Sequence, residues 1–130
     1  MVLDTSAIVA AIAAEPDAAR FRAVILGATS LAISAATVLE SKIVLHSRHA
    51  QAAVDAFDQM LEDAGIEIVP FDAPMAQLAF NAFRRYGKGQ GHPAQLNIMD
   101  CAVYALATMR GESLLFKGSD FEKTDVQAAV

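Results

Sequence analysis

The feature that most restricts the fold is a set of apolar runs too short to be helices, set between stretches long enough to be helices. Val2-Leu3-Asp4, Ser30-Leu31-Ala32-Ile33, Ile66-Glu67-Ile68-Val69 and Leu114-Leu115-Phe116 each read as a strand. Helical stretches lie between them, from about Ser6 to Ala14, Asp17 to Leu26, Ser34 to His46, Ala50 to Ala64, Pro74 to Tyr86 and Ile98 to Arg110. Strands joined through helices run parallel, because the crossover carries the chain back to its starting edge. A parallel sheet is covered by helices on both faces, so its strands are apolar throughout. The expectation is therefore one α/β domain over residues 1–130, with a mainly parallel sheet of four strands. A fifth, short edge strand is expected around Thr124 to Val126. Local signals agree: Ser34 suits a helix start, Gly65 a helix end, and Asp72 with Pro74 another start. Gly87 to Pro93 is a loop by composition.

A hydrophobic content of 55% exceeds what a monomer of this length can bury, which points to a subunit interface as well as a core. The single cysteine, Cys101, rules out an internal disulfide and suits a reducing compartment. The apolar stretch Ala7 to Ala14 follows Asp4 and no Lys or Arg, unlike a signal peptide, and no run is long enough to span a bilayer. A soluble, cytoplasmic protein without a membrane association is expected. The net charge of −5 opposes simple charge-driven binding of nucleic acid. It leaves open chemistry on nucleic acid at a site where bound cations reverse the local sign.

Functional groups of an open parallel sheet gather beyond the carboxyl ends of its strands. Asp4 ends the first strand, and Asp120 follows the fourth in the turn Lys117-Gly118-Ser119-Asp120. Glu40 lies on an otherwise apolar helical face, with Ala36, Thr37, Ile43 and Val44 as its neighbours. Asp100 opens an apolar helix three residues after Asn97. Each acid also has a plain structural reading. Asp4 can cap the first helix, Glu40 can be solvated beside Lys42 or His46, Asp100 can form a capping box with Asn97, and Asp120 can be a turn residue. Together they suggest more, since the topology sends all four towards one rim. Carboxylates so clustered repel unless a cation joins them. Oxygen ligands without His or Cys select a hard ion, Mg²⁺ or Mn²⁺, and such an ion suits phosphodiester hydrolysis.

With these residues in place the chain resembles the PIN-domain family, and within it the VapC-type toxins of bacterial toxin–antitoxin pairs. The resemblance runs through Met1-Val2-Leu3-Asp4-Thr5-Ser6-Ala7, Ile33-Ser34-Ala35-Ala36-Thr37-Val38-Leu39-Glu40, Phe83-Arg84-Arg85-Tyr86-Gly87-Lys88-Gly89, His92-Pro93-Ala94-Gln95-Leu96-Asn97, Asp100-Cys101-Ala102-Val103-Tyr104-Ala105-Leu106-Ala107 and Leu114-Leu115-Phe116-Lys117-Gly118-Ser119-Asp120-Phe121. It implies a three-layer α/β/α sandwich and a Mg²⁺-dependent endoribonuclease (with Mn²⁺ as a substitute). It also implies a homodimer and a small VapB-like antitoxin partner. The family's acidic quartet falls on Asp4, Glu40, Asp100 and Asp120, and its helper positions fall on Ser6, Asn97 and Ser119. The family often has glycine just before the third acid, where this chain has Met99, a side chain able to narrow the site.

Arg84, Arg85 and Lys88, with His92, form the best basic cluster, read either as a rim that guides RNA phosphates or as charges at a helix end. His46, Arg48 and His49 read as a solvated helix end. Phe71, Phe80, Phe83, Phe116 and Phe121 are assigned to the core, and Cys101 to a buried, unreactive position. Two other functions remain open. One is an aspartyl-phosphate protein of receiver or phosphatase type, with Asp4 as nucleophile and Lys117 as charge partner. The other is a PIN-like binding module without catalysis.

Overall fold

The computed structural model describes residues 1–130. In chain order the elements are β1 (Val2–Leu3), α1 (Thr5–Ile12), α2 (Ala18–Gly27), β2 (Ala32–Ser34), α3 (Ala35–Arg48), α4 (Gln51–Asp63), β3 (Glu67–Val69), α5 (Ala73–Tyr86), α6 (Ile98–Arg110) and β4 (Leu114–Leu115). The four strands form one sheet in the order β3-β2-β1-β4, and every pair is parallel. Val2 stands level with Ala32 on one side and Leu114 on the other, which sets the register of the sheet centre.

Successive side chains of a strand point to opposite faces, and here each face is buried. Val2, Ala32 and Leu114 join a core with α5 and α6, through residues such as Ala79, Tyr86 and Leu106. Leu3, Ile33 and Leu115 join a second core with α1 and α4, through Ile8, Val54 and Phe57 among others. The result is helix, sheet, helix: a three-layer sandwich, as expected. The sheet has four strands. The chain near Thr124 makes a turn instead of a strand, because the Thr124 hydroxyl accepts a hydrogen bond from the Val126 backbone N–H. Pairing with β4 is reduced to a single bridge, Leu114 to Ala128, further along the tail. β3 departs from the doubly covered pattern as well. It is the edge strand, and both Glu67 and Ile68 are exposed.

The helix starts follow from the residues there. The Asp4 carboxylate accepts from the Ser6 backbone N–H at 3.0 Å, Ser34 Oγ from Ala36 at 3.2 Å, and Asp72 from Met75 at 3.1 Å. Each such bond satisfies a donor that the first helical turn leaves unpaired. α6 begins with a reciprocal pair. Asn97 Oδ1 accepts from the Asp100 N–H at 2.9 Å, and Asp100 Oδ2 accepts from the Asn97 N–H at 3.0 Å. α6 stops at Gly111, whose φ of 62° is a left-handed conformation that glycine adopts without the Cβ clash.

α4 shows how few contacts hold an outer helix. Only Val54 and Phe57 are buried on it, and Phe57 is fully enclosed against the α1 side of the sheet. We expect Phe57→Ala to cost about 3–5 kcal/mol through lost burial and the cavity left behind. Urea unfolding followed by circular dichroism should show that loss. A variant within about 1 kcal/mol of wild type would contradict this account of α4.

Candidate active site

The parallel register puts the carboxyl ends of all four strands on one rim, and a cleft of about 490 Å³ opens there. Asp4, Glu40, Asp100 and Asp120 all line it, although they come from four separate parts of the chain. Asp4 leaves the end of β1 and is buried, with 7% of its surface exposed. Its Oδ2 accepts from both the backbone N–H and the hydroxyl of Ser6, at 3.0 and 2.5 Å. Ser6 Oγ also accepts from the Lys117 backbone N–H at 2.9 Å, so one hydroxyl links Asp4 to the segment that carries Asp120. Asp100 lies in the first turn of α6, held by its bond from Asn97. The capping roles foreseen for Asp4 and Asp100 are therefore real, and they coexist with a place in the cleft. Asp120 is exposed, in the loop after β4.

Glu40 is placed by a contact that sequence reasoning missed. Thr5 Oγ1 donates to Glu40 Oε1 at 2.5 Å and accepts from Ser41 Oγ at 3.2 Å. Thr5 and Ser41 are both buried, so this hydroxyl relay lies beneath the cleft. The available signal was a Thr directly after the strand-end acid, but its partner lies 35 residues away.

Burial and crowding both raise the carboxyls of Asp4, Glu40 and Asp100. Burial is the main cause for Asp4, opposed by the Ser6 hydrogen bonds and reinforced by the charge of Asp120. Glu40 is raised by burial and by Asp4, against the Thr5 bond. Asp100 is pushed up to about 6, first by burial and then by the charges of Asp4, Asp120 and Glu40, against the Asn97 backbone bond. No ion pair of the chain includes any of the four. Lys117 Nζ, which lines the cleft, is bound to Glu15 and, at 3.0 Å, to Asp17. It therefore makes no pair with Asp4, and the aspartyl-phosphate alternative is left without its charge partner.

The donor set is thus oxygen-only, partly buried, mutually repelling and bound in no ion pair, which fits a hard divalent cation. In the present rotamers no three His, Cys, Asp or Glu side chains converge closely enough to hold one ion. A cation here would draw the carboxylates inward or reach some of them through water.

Other expected residues divide. Asn97 lines the cleft with Ser6, whereas Ser119 is exposed and is not in the cleft wall. Met99 is half-buried and does not line the cleft, so it does not narrow it. Arg84, Arg85 and Lys88 also lie outside the lining. Arg85 pairs with Asp125 at 3.3 Å and stacks on Tyr86, and Arg84 lies over the Phe80 ring. Arg48, assigned to a solvated helix end, proves to be part of the cleft wall.

Cys101 is buried with its thiol pushed up to about 11, as expected of an unreactive position. The core assignment of the phenylalanines needs correction. Phe121 is buried, but Phe80 is 54% and Phe71 40% exposed. With Phe83 and Ile98 they line an entirely apolar groove of about 450 Å³ between α5 and the start of α6. The 3.6-residue period of α5 is met by Met75, Ala79, Ala82 and Tyr86, which leaves the Phe80 ring outside.

A carboxyl raised by folding holds its proton more tightly in the native state. The stability it confers is full at low pH and is lost as pH climbs from the ordinary 3.8 to about 6 for Asp100. Under chelator, we expect the wild-type Tm minus the Asp100→Asn Tm to fall across that interval and then level off. Calorimetry over a pH series checks this, and a constant difference would contradict the crowding described here.

The PIN domain model matches residues 1–127. Ribonuclease VapC28 of Mycobacterium tuberculosis is 43% identical over 130 residues, covering 100% of this chain and 98% of that protein. Ribonuclease VapC42 of the same species is 39% identical over 129 residues, covering 99% and 98%. Among solved structures, M. tuberculosis VapC20, a sarcin-ricin loop cleaving toxin, superposes with a TM-score of 0.80 at 15% identity, covering 96% of this chain and 95% of the other. FitAcB of Neisseria gonorrhoeae superposes with a TM-score of 0.71 at 24% identity, covering 98% and 94%. At these identities the superpositions speak for the fold.

Proposed function

The chain belongs to the PIN-domain family, among its VapC ribonucleases, and from that premise we propose that it is a divalent-metal-dependent endoribonuclease, the toxin of a toxin–antitoxin pair. The observation that carries the reading is the cleft itself, where four carboxylates from distant parts of the chain line one wall and none is held in an ion pair. Asp4, Glu40, Asp100 and Asp120 would hold Mg²⁺, or Mn²⁺ in its place. When bound, such an ion lowers the pKa of a water molecule and polarises the phosphodiester.

The chain's own residues prepare that step. Ser6 and Thr5 hold Asp4 and Glu40 by hydrogen bonds, and Asn97 holds Asp100, so the carboxylates are oriented before substrate arrives. Water adds to phosphorus and the P–O3′ bond breaks. The 3′ oxygen of the upstream fragment takes up a proton as a 3′-hydroxyl, and the downstream fragment keeps the phosphate on its 5′ oxygen. Ser119, Arg84, Arg85 and Lys88 are all exposed, and they are kept as outer contacts for the RNA in this proposal.

Exposed Leu39 and Ile43 of α3, Leu78 and Phe80 of α5 and Ile98 of α6 support a homodimer. A small VapB-like antitoxin is the other expected partner, since full-length relatives are VapC ribonucleases. No helix of the protein is long and apolar enough to cross a membrane, and a cytoplasmic site of action is part of the proposal.

Two substitutions test the site. Asp100→Asn keeps an oxygen for the capping bond and removes the charge. It should lower cleavage of total RNA at least about 100-fold, more than loss of an outer-shell partner does, while the circular dichroism spectrum stays unchanged. Full activity in the purified variant would refute the assignment. Thr5→Val frees Glu40 from its donor and should weaken Mn²⁺ binding by roughly 10- to 100-fold. Isothermal titration measures that, and unchanged affinity would remove Thr5 from the site.

A further inference from the structure

We propose that Arg48 is the cleft's phosphate grip, binding an RNA phosphate that flanks the one cleaved. The proposal rests on the ribonuclease reading for its substrate, and it stands on three observations of its own. First, five carboxylates line the cleft, Glu15 being the fifth, and they face only two cations, Arg48 and Lys117. Lys117 is bound to Glu15 and Asp17 and so has no charge to spare. Arg48 is exposed and takes part in none of the chain's ion pairs.

Second, Arg48 is aligned with the acids. Glu40, Val44 and Arg48 follow one another at four-residue spacing on α3, and all three line the cleft. Residues so spaced share one face of a helix. The rise from Glu40 to Arg48 is about 12 Å at 1.5 Å per residue, too far for the phosphate at the acids but suited to a neighbour along the strand. Helical side chains lean towards the N-terminus of their helix, so the guanidinium is carried back along α3 towards Glu40.

Third, the chemistry requires such a group. The chain carries a net charge of −5, and an acidic cleft repels a polyanion. Divalent ions can compensate at the scissile phosphate only, so the phosphates on either side need fixed positive charge. A guanidinium offers paired donors matched to phosphate oxygens. Sequence reasoning passed over Arg48 because it sits between His46 and His49, where it looks like one of several charges at a helix end.

The test uses a fluorescently labelled, mixed-sequence single-stranded RNA and the cleavage-deficient Asp100→Asn protein, with binding followed by anisotropy over a salt series. Adding Arg48→Gln should weaken binding and reduce the slope of log affinity against log salt by about 0.7, the value for one phosphate contact on a single strand. Arg48→Lys should restore the slope while recovering only part of the affinity. Lys42→Gln removes the same charge from the same helix, at a side chain paired with Asp58 and outside the cleft, and should leave the slope unchanged. An unchanged slope for Arg48→Gln, or an equal fall for Lys42→Gln, overturns the proposal. Cleavage by the wild-type protein is scored separately. If it fails while the Arg48 slope effect persists, the catalytic reading falls and the grip stands.

Discussion

Carboxylates repel one another, and this chain brings four of them to one place. The means is the parallel direction of all its strands, which leaves every strand's carboxyl end on the same rim. No element could be reversed without scattering the acids, because Asp4 and Asp120 reach the cleft only as continuations of β1 and β4. The two cores serve that arrangement. Val2 and Leu3 are fully buried on opposite faces, so β1 is clamped from both sides and Asp4 emerges from a rigid point. The cost of crowding appears in the raised carboxyls, and a stable fold tolerates it because the strain is confined to one cleft.

Much of the cleft is built from bonds that also build the helices. Asp4 caps α1, and Asp100 closes the capping box of α6. Ser6 serves a third purpose, since its oxygen receives the backbone of Lys117 and ties the loop after β4 to the start of α1. The pairing of Lys117 with Glu15 and Asp17 fastens the same loop to the segment between α1 and α2. The exposed Asp120 thus hangs from a loop anchored at two points. Pre-orientation of this kind is what a binding site needs from its scaffold.

The sheet and the acids were legible in the sequence because the signals are local. A short apolar run marks a buried strand, and an acid at its end marks the rim. Thr5 and Arg48 were not legible in that way. The value of Thr5 depends on Glu40, a partner brought by tertiary packing, and that of Arg48 on which face of α3 turns to the cleft. The rings of Phe71 and Phe80 lie outside the core, and hydrophobicity alone does not say which side of a loop or a helix is covered. Met75, Ala79, Ala82 and Tyr86 take the buried stripe of α5 instead. The tail strand was displaced because the Thr124 hydroxyl bonds to backbone and favours a turn over extended pairing.

β3 lies at the open margin of the sheet, with Glu67 and Ile68 facing solvent. An uncovered margin invites another chain to add itself, the first step of fibril growth. Three residues give little to add to, and Pro70 follows at once, with no backbone donor to extend the ladder. Glu67 is also clasped by Arg110 through both carboxylate oxygens, which sets a charged clip across the margin. The protein can thus expose a sheet edge and a greasy flank together and still resist polymerising through its backbone.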